Sequence, residues 1–275
     1  MIKQSEKQRA NKQAVGSLAL ILIVLIVVGS VVAVAIIWQI LLAPSYLVTE
    51  DQDFKDFTIV SVGHAFEVKI TQSSTYSINI TADEYVSVSE TGKDEYTREL
   101  TFDYIQVTKT DNTLTVGLKP GYTYQPTHLT RPLVLRAEIE MPQLHELSLS
   151  GATHGTVEGF ISTHELVLAI SGASYLDLDT SAGDIEIHLS GASHLNGEGS
   201  ASNLVAEVLG ASHLDLSALP VQDADVLLSG ASWATISLDG QLDADLSGAS
   251  HLQYIGEPIM GNIQTSGDST VEQKE

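Results

Sequence analysis

Six side chains able to stack, hydrogen-bond or titrate recur at one offset from a glycine. His154, Tyr175, His194, His213, Trp233 and His251 each stand three residues after Gly151, Gly172, Gly191, Gly210, Gly230 and Gly248, and Thr270 follows Gly267 in the same way. If a shared offset means a shared row, the imidazoles of His194 and His213 sit on neighbouring turns of the chain. Two such rings could ligate one Zn²⁺ or Cu²⁺. The reading we prefer is a ladder of flat side chains stacked along a wall. A metal centre wants three or four convergent ligands, and Tyr175 and Trp233 interrupt the imidazoles. A ladder of this kind is pH-sensitive, because neutral imidazoles stack and charged ones repel. A second offset, five after the glycine, carries Thr156, Asp177, Asn196, Asp215, Thr235 and Gln253, with Asp179, Asp223, Asp225, Asp239, Asp243 and Asp245 in the neighbouring sequence. Rows of oxygen ligands could hold Ca²⁺, whereas the simpler role for such residues is a solvated face with its turns.

These rows exist only if the backbone repeats. The glycines are separated by 21, 19, 19, 20, 18 and 19 residues, and a period near twenty marks stacked supersecondary units. Two residues before each glycine stand Leu149, Ile170, Leu189, Val208, Leu228, Leu246 and Thr265; four after it stand Gly155, Leu176, Leu195, Leu214, Ala234, Leu252 and Val271. Apolar residues at −4, −2, +4 and +6 alternate with period two, the signature of strands with one buried face. In "IEIHLSGASHLNG" the predicted buried set is Ile185, Ile187, Leu189 and Leu195. Gly, Ser and Asp interrupt any helical stripe. The pattern predicts an all-β fold: a single-stranded parallel β-helix, a solenoid of about 20 residues per coil, right-handed by the general bias of parallel crossovers. The Ser-Gly-Ala-Ser quartet marks a bend where backbones approach closely. The Ser/Thr column two after the glycine points inward if alternation continues through the bend, and outward if the glycine is a true corner. Leucine-rich repeats are excluded by the missing asparagine ladder.

The charge is as uneven as the repeat is regular. The chain has 13 Lys and Arg against 35 Asp and Glu, a formal net charge of −22, and no cysteine. Four of the basic residues, Lys3, Lys7, Arg9 and Lys12, lie in the first thirteen positions; between Arg136 and Lys274 there are none, against twenty acidic residues. Such a surface excludes phosphate backbones, so no nucleic-acid partner is expected. Absence of cysteine excludes disulfides and thiolate metal sites.

Residues 14–43, "AVGSLALILIVLIVVGSVVAVAIIWQILLA", are uncharged and almost wholly apolar. This run exceeds the roughly 20 residues needed to cross a bilayer and the 7–15 of a signal-peptide core. It predicts one N-terminal transmembrane helix. Basic residues before it and acidic ones after it place residues 1–13 in the cytoplasm and the rest outside. Residues 44–53 read as a tether and 54–275 as the extracellular domain, with irregular or capping strands over 54–147 and regular repeats over 148–271.

Within 54–147, "FTIVSV", "FEVKITQ", "YSINITA", "YIQVTKT", "TLTVGL" and "LVLRAEIEMP" alternate apolar and polar, as half-buried strands do. Their order carries a resemblance. A glycine-centred opening over Val62–Ala82, a hairpin over Val107–Val116, the entry "IEMPQLHELSLSG" over Ile139–Gly151 and the repeated SGAS steps are similar to the head GIN domain family of auto-transporter adhesins. The likeness spans residues 54–271. It implies a β-helical cell-surface domain and supplies no catalytic residues; the amino-terminal anchor departs from it by making the protein single-pass rather than secreted.

The expected work is therefore adhesion or surface and ligand interaction, without catalysis, with a glycan or protein ligand meeting the column of His154, Tyr175, His194, His213, Trp233 and His251. Two other classes remain: a glycosidase-like enzyme using paired carboxylates, and a sensory ectodomain for a membrane signalling partner. A lyase of acidic sugars would need Lys or Arg, which the repeats lack. The SxG steps are no nucleophile elbow, since they recur in every coil and precede no helix. An uncapped end near "GDSTVEQKE" would favour a homo-oligomer.

Overall fold

The structure is a computed structural model that describes residues 46–90, 93, 95–126 and 132–274. The predicted cytoplasmic tail and the apolar run 14–43 lie outside the described residues. Among those described, no helix is long and apolar enough to cross a membrane.

The described body over Leu47–Gln125 and Leu133–Glu275 is a two-walled solenoid of about seven turns. Each coil has the same parts. A strand such as Ile185–Leu189 lies in one wall; the corner Ser190-Gly191-Ala192-Ser193 turns the chain; His194–Ser200 lies in the other wall; a short turn returns to Asn203–Val208 in the first. The two walls are sheets of 10 and 11 strands, almost all parallel. Stacking is in register: Ile187 pairs with Leu168 below and Ala206 above, and Leu195 with Leu176 and Leu214. Like residues therefore meet at strand spacing, about 4.8 Å, and the apolar columns merge into one core. Ile185, Ile187, Leu189 and Leu195 are all buried, and the core runs without a break from Phe57 to Leu252.

The corner has a physical requirement that only glycine meets cheaply. Gly191 has φ +80°, and a Cβ placed there would lie 2.5 Å from the carbonyl oxygen of Gly172 in the coil below. That oxygen is already bound by the Ala192 amide at 2.8 Å. The left-handed backbone bends the chain while its amide and carbonyl stay in the ladder.

The Ser/Thr column points inward even though the glycine is a corner: Thr153, Ser174, Ser193, Ser212, Ser232 and Ser250 are all buried. The hydroxyls of Thr153, Ser174, Ser193 and Ser250 act first within their own bends. Ser174 Oγ donates to the Ser171 carbonyl at 2.9 Å and Ser193 Oγ to that of Ser190 at 2.8 Å. Ser174 Oγ also accepts from the Thr153 amide at 3.3 Å, linking coils. Ser212 Oγ accepts from the Ser193 amide at 3.3 Å, whereas Ser232 Oγ is buried with no partner.

The segment before the repeats is more regular than its sequence suggests. Ile59–Val62 and Glu67–Gln72 form a full coil, inserted between two pieces of chain that come later. On one wall Ile59–Val62 lies between Thr113–Leu118 and Glu146–Leu149; on the other, Glu67–Gln72 lies between Leu135–Met141 and His154–Ile161. Beyond this coil the stack is closed by antiparallel strands. Ser77–Asp83 covers Leu135–Met141, Leu47–Asp51 covers Ser77–Asp83 in turn, and Ile105–Thr110 covers Thr113–Leu118. Leu47–Asp51, within the stretch read as a tether, is thus an edge strand. A separate sheet of Tyr85–Glu90, Thr97–Leu100 and Tyr122–Pro126 adjoins the same end. From it a 3-10 turn, Thr101–Asp103, reaches Ser77–Asp83 and Ile105–Thr110 and packs Phe102 on the core.

Candidate functional site

The offset-three column is a row on the outer face of the 11-stranded wall. His154, Tyr175, His194, His213, Trp233, His251 and Thr270 are paired in succession along adjacent strands. Because the pleat alternates, His154 to His251 stand outward between buried neighbours at +2 and +4. The rings stack over the first four members, His154 to His213. His154 and Tyr175 lie 4.7 Å apart with an interplanar angle of 17°, Tyr175 and His194 6.3 Å apart at 22°, and His194 and His213 4.7 Å apart at 2°. Trp233 and His251 are tilted at 43°, and His251 Nδ1 is 2.8 Å from the Thr270 hydroxyl.

This geometry bears on the two-imidazole metal reading. Ring-nitrogen lone pairs lie in the ring plane, so the parallel rings of His194 and His213 send them side by side rather than toward one point. Among the described residues, no three His, Asp or Glu side chains are grouped as a metal set. What the pair does show is mutual electrostatic influence. The His213 imidazole is held below the ordinary histidine value, first by burial against its neighbours and second by the charge of His194.

The row begins earlier than the sequence alignment placed it. Glu67 and Arg136 precede His154 in the same file, since His154 pairs with Glu67 and Glu67 with Arg136. Arg136 donates to Glu67 Oε2 from Nε at 3.1 Å and from Nη2 at 2.8 Å. Glu67 in turn raises the guanidinium pKa by accepting those bonds and by its charge.

The offset-five residues form the next row on the same face: Thr156, Asp177, Asn196, Asp215, Thr235 and Gln253 stand in register. The two rows are bonded to each other. Tyr175 O–H donates to Asp177 Oδ1 at 2.9 Å, and Asn196 Nδ2 donates to Asp177 Oδ1 at 3.2 Å and also to the Tyr175 hydroxyl. Burial, with that hydrogen bond to Asp177 second, raises the Tyr175 phenol.

Beside the rows the wall is dished into a groove of about 400 Å³, whose polar lining includes Glu158, Asp177, Asp179, Asn196, Glu198 and Asp215. Its shape comes from bulges. The register slips between Val157 and Phe160, between Asn196 and Glu198, and between Leu216 and Pro220. Extra residues in those strands lift the rim out of the pleat. Lys69 reaches Glu158 at 2.8 Å at one end. All lining residues belong to one sheet, so the carboxylates form a floor rather than two opposed walls. A glycosidase places its two carboxyl groups on either side of the scissile bond; here the carboxylates stand side by side along one wall.

A further cluster, on the other wall, escaped the sequence reading. His188 sits between two carboxylates, Nε2 at 2.8 Å from Glu186 and Nδ1 at 3.1 Å from Glu207. Both ring nitrogens can donate only as imidazolium. The outward alternation of "EIH" and the matching position of Glu207 one coil on were the available signals.

Comparison with known proteins agrees with this architecture. The crystal structure of a "putative adhesin" from Bacteroides fragilis NCTC 9343 is similar with a TM-score of 0.69 at 19% identity, covering 84% of this chain and 98% of that one. A "putative adhesin" from Parabacteroides merdae ATCC 43184 gives 0.65 at 19% over 84% and 97%. A "putative lipid binding protein" from Parabacteroides distasonis ATCC 8503 gives 0.63 at 14% over 83% and 97%. At these identities the likeness is one of fold. No curated protein matches the chain. Residues 96–258 match the family described as "Putative auto-transporter adhesin, head GIN domain". With more than half of its length matched, through the SGAS coils that carry the ring file, the chain belongs to the head GIN domain family.

Proposed function

We propose that this protein is a single-pass surface adhesin. Residues 14–43 cross the membrane, residues 1–13 stay in the cytoplasm, and the right-handed solenoid stands outside, meeting its ligand without catalysis. One observation carries the ligand-binding part: the ring file and the carboxylate row share one wall in register, cross-bonded through Tyr175, Asp177 and Asn196. Stacked rings turn their edges outward, so the wall presents imidazole nitrogens, a phenol, an indole and carboxylates at the coil spacing of about 4.8 Å. A glycan or protein ligand with repeating donors and acceptors would engage several coils at once. Weak contacts on a rigid scaffold then multiply, because the first fixes the effective concentration of the next. The adhesin description of the family supports the same reading.

The test is a glycan and surface-protein array probed with the full-length protein in lipid nanodiscs, beside the variant Tyr175→Ala, Trp233→Ala. Binding that falls at least tenfold in the variant, with the bound ligand recovered intact, agrees with the proposal. Ligand cleaved during incubation, or binding indifferent to both substitutions, refutes it.

A further inference from the structure

The capping end of the solenoid differs chemically from the rest. From residue 137 to residue 273 there is no Lys or Arg, and the coils carry twenty acidic side chains. The basic residues of the folded body are Lys55, Lys69, Lys93, Arg98, Lys109, Lys119 and Arg136, all before the first regular coil, and Lys274. Exposed apolar and aromatic groups gather on the small sheet at that end. Tyr96, Leu100 and Tyr122 are 38%, 46% and 41% exposed, and the first strand begins with Leu47 at 49%. The basic groups lie among them. Arg98 sits 4.0 Å from the centroid of the Tyr85 ring, Lys119 6.0 Å from that of Tyr104, and Tyr104 packs edge-on against Tyr122 at 5.1 Å. Lys93 is paired with Glu90, and Glu99 stands beside Tyr104. The surface is therefore mixed in charge, with Lys93, Arg98, Lys109 and Lys119 interspersed among Glu84, Glu90, Glu95, Glu99, Asp103 and Asp111, and rich in Tyr; it differs from the coils in carrying cations at all.

We infer that this capping sheet is a lipid-docking surface, resting on the headgroup layer of the membrane in which the protein is anchored. The inference depends on the proposed span over 14–43. Chain length is the first argument. Four Cα steps separate Ala43 from Leu47, an extended reach of at most about 14 Å. If the span ends at Ala43, the edge strand Leu47–Asp51 starts within that distance of the bilayer. The small sheet adjoins that end of the stack, because Tyr85 follows directly on Ser77–Asp83, the strand to which Leu47–Asp51 is paired. Chemistry is the second argument. Amphipathic Tyr rings settle at the headgroup level, and Lys and Arg reach phosphates while their stems cover apolar surface. An acidic coil surface with no cation is repelled by an anionic leaflet. Only the cap end can lie down; the coils must stand away, which leaves the ring file facing the medium.

Because the chain has no cysteine, single labels are unambiguous. The full-length protein, reconstituted in vesicles of 80:20 phosphatidylcholine and phosphatidylglycerol, carries a fluorophore at Cys introduced by Val24→Cys, Leu100→Cys, Tyr122→Cys or Ser247→Cys. Quenching is read with nitroxide on the headgroup or deep in the acyl chain. The expected result is acyl-chain quenching at position 24, at least threefold stronger headgroup quenching at 100 and 122 than at 247, and loss of that excess at 100 when Tyr122→Asp is added. No acyl-chain quenching at 24 overturns the span and this inference with it. Acyl-chain quenching at 24, with 100 and 122 no more quenched by headgroup nitroxide than 247, overturns the docking surface alone. So does shielding of 100 and 122 in detergent that rises with protein concentration, which would assign the surface to a second copy.

Discussion

The contact between His194 and His213 makes a prediction that can be worked through. Their ring centroids are 4.7 Å apart and the planes are parallel within 2°. Two unit charges at that separation repel by about 1 kcal/mol in water and by about 3.5 kcal/mol at an effective dielectric of 20. His213 is exposed, so the lower figure applies. The larger cause of its depressed value is burial against its neighbours, with the His194 charge second. The sign follows. A base whose folded pKa lies below its unfolded value of about 6.5 leaves stability untouched well above pH 6.5. It reduces stability as pH falls through 6.5, where the unfolded chain takes up the proton first. The assay is a histidine proton NMR titration, with the His213 resonance assigned by its absence in His213→Gln. Its midpoint is expected below 6.5, to rise part of the way in His194→Gln, and to rise by less when 1 M salt screens the wild type. A midpoint at or above 6.5, or one unmoved by His194→Gln, would show that the two rings do not share an electrostatic environment.

Three further tests address the scaffold. Gly191→Ala puts a methyl 2.5 Å from the Gly172 oxygen at a φ of +80°; left-handed strain of about 1–2 kcal/mol plus a weakened inter-coil hydrogen bond of about 1 kcal/mol and the overlap itself make a loss of about 4 kcal/mol. By thermal circular dichroism that loss is a fall of roughly 8–16 °C in Tm, and a fall below 3 °C would contradict the corner geometry. Ser174→Ala removes a hydroxyl that both donates and accepts and should cost about 1–2 kcal/mol. Ser232→Ala removes one with no partner and should cost less than about 0.5 kcal/mol; equal losses in urea denaturation would mean the column acts through volume alone. In the cap, burial with help from Tyr104 and Tyr122 pushes the Tyr124 phenol up to about 12. Ultraviolet titration should therefore lose its last tyrosinate step in Tyr124→Phe, whereas an unchanged profile counts against that packing.

How much of this was legible follows from particular residues. The regular coils were readable because Gly191 and its equivalents are forced by φ, and because Ile187 and Leu195 share a phase that only a buried strand face explains. The inserted coil was not, for a specific reason. At its corner His64, with φ +63°, takes the left-handed place that glycine holds elsewhere, and Ala65 at +66° follows it. Gly63 instead lies against Ser150, and Gly151 stacks on the His64 amide. Aligning on glycine therefore slips the coil by one residue and removes Glu67 from the ring file. Arg136 was hidden by its distance in sequence. The groove was illegible for another reason: it is made by register slips at Val157, Asn196 and Leu216, and a bulge depends on what the neighbouring strand does. The Ser column needed the structure too, since its hydroxyls bind carbonyls three residues back.

The interleaving of Ile59–Gln72 also dictates when the protein can be finished. Its lower neighbours, Thr113–Leu118 and Leu135–Met141, and its upper ones, Glu146–Leu149 and His154–Ile161, are all made after it. Roughly ninety residues must follow Gln72 before Ile161 exists, which at ribosomal speed is roughly 5–20 s. During that wait a β-prone segment lacks part of its pairing, Thr113–Leu118 being the first of its neighbours to be made, and loop closure over such a span slows the step that completes it. The threading thus keeps the inserted coil incomplete until the first regular coil has been made.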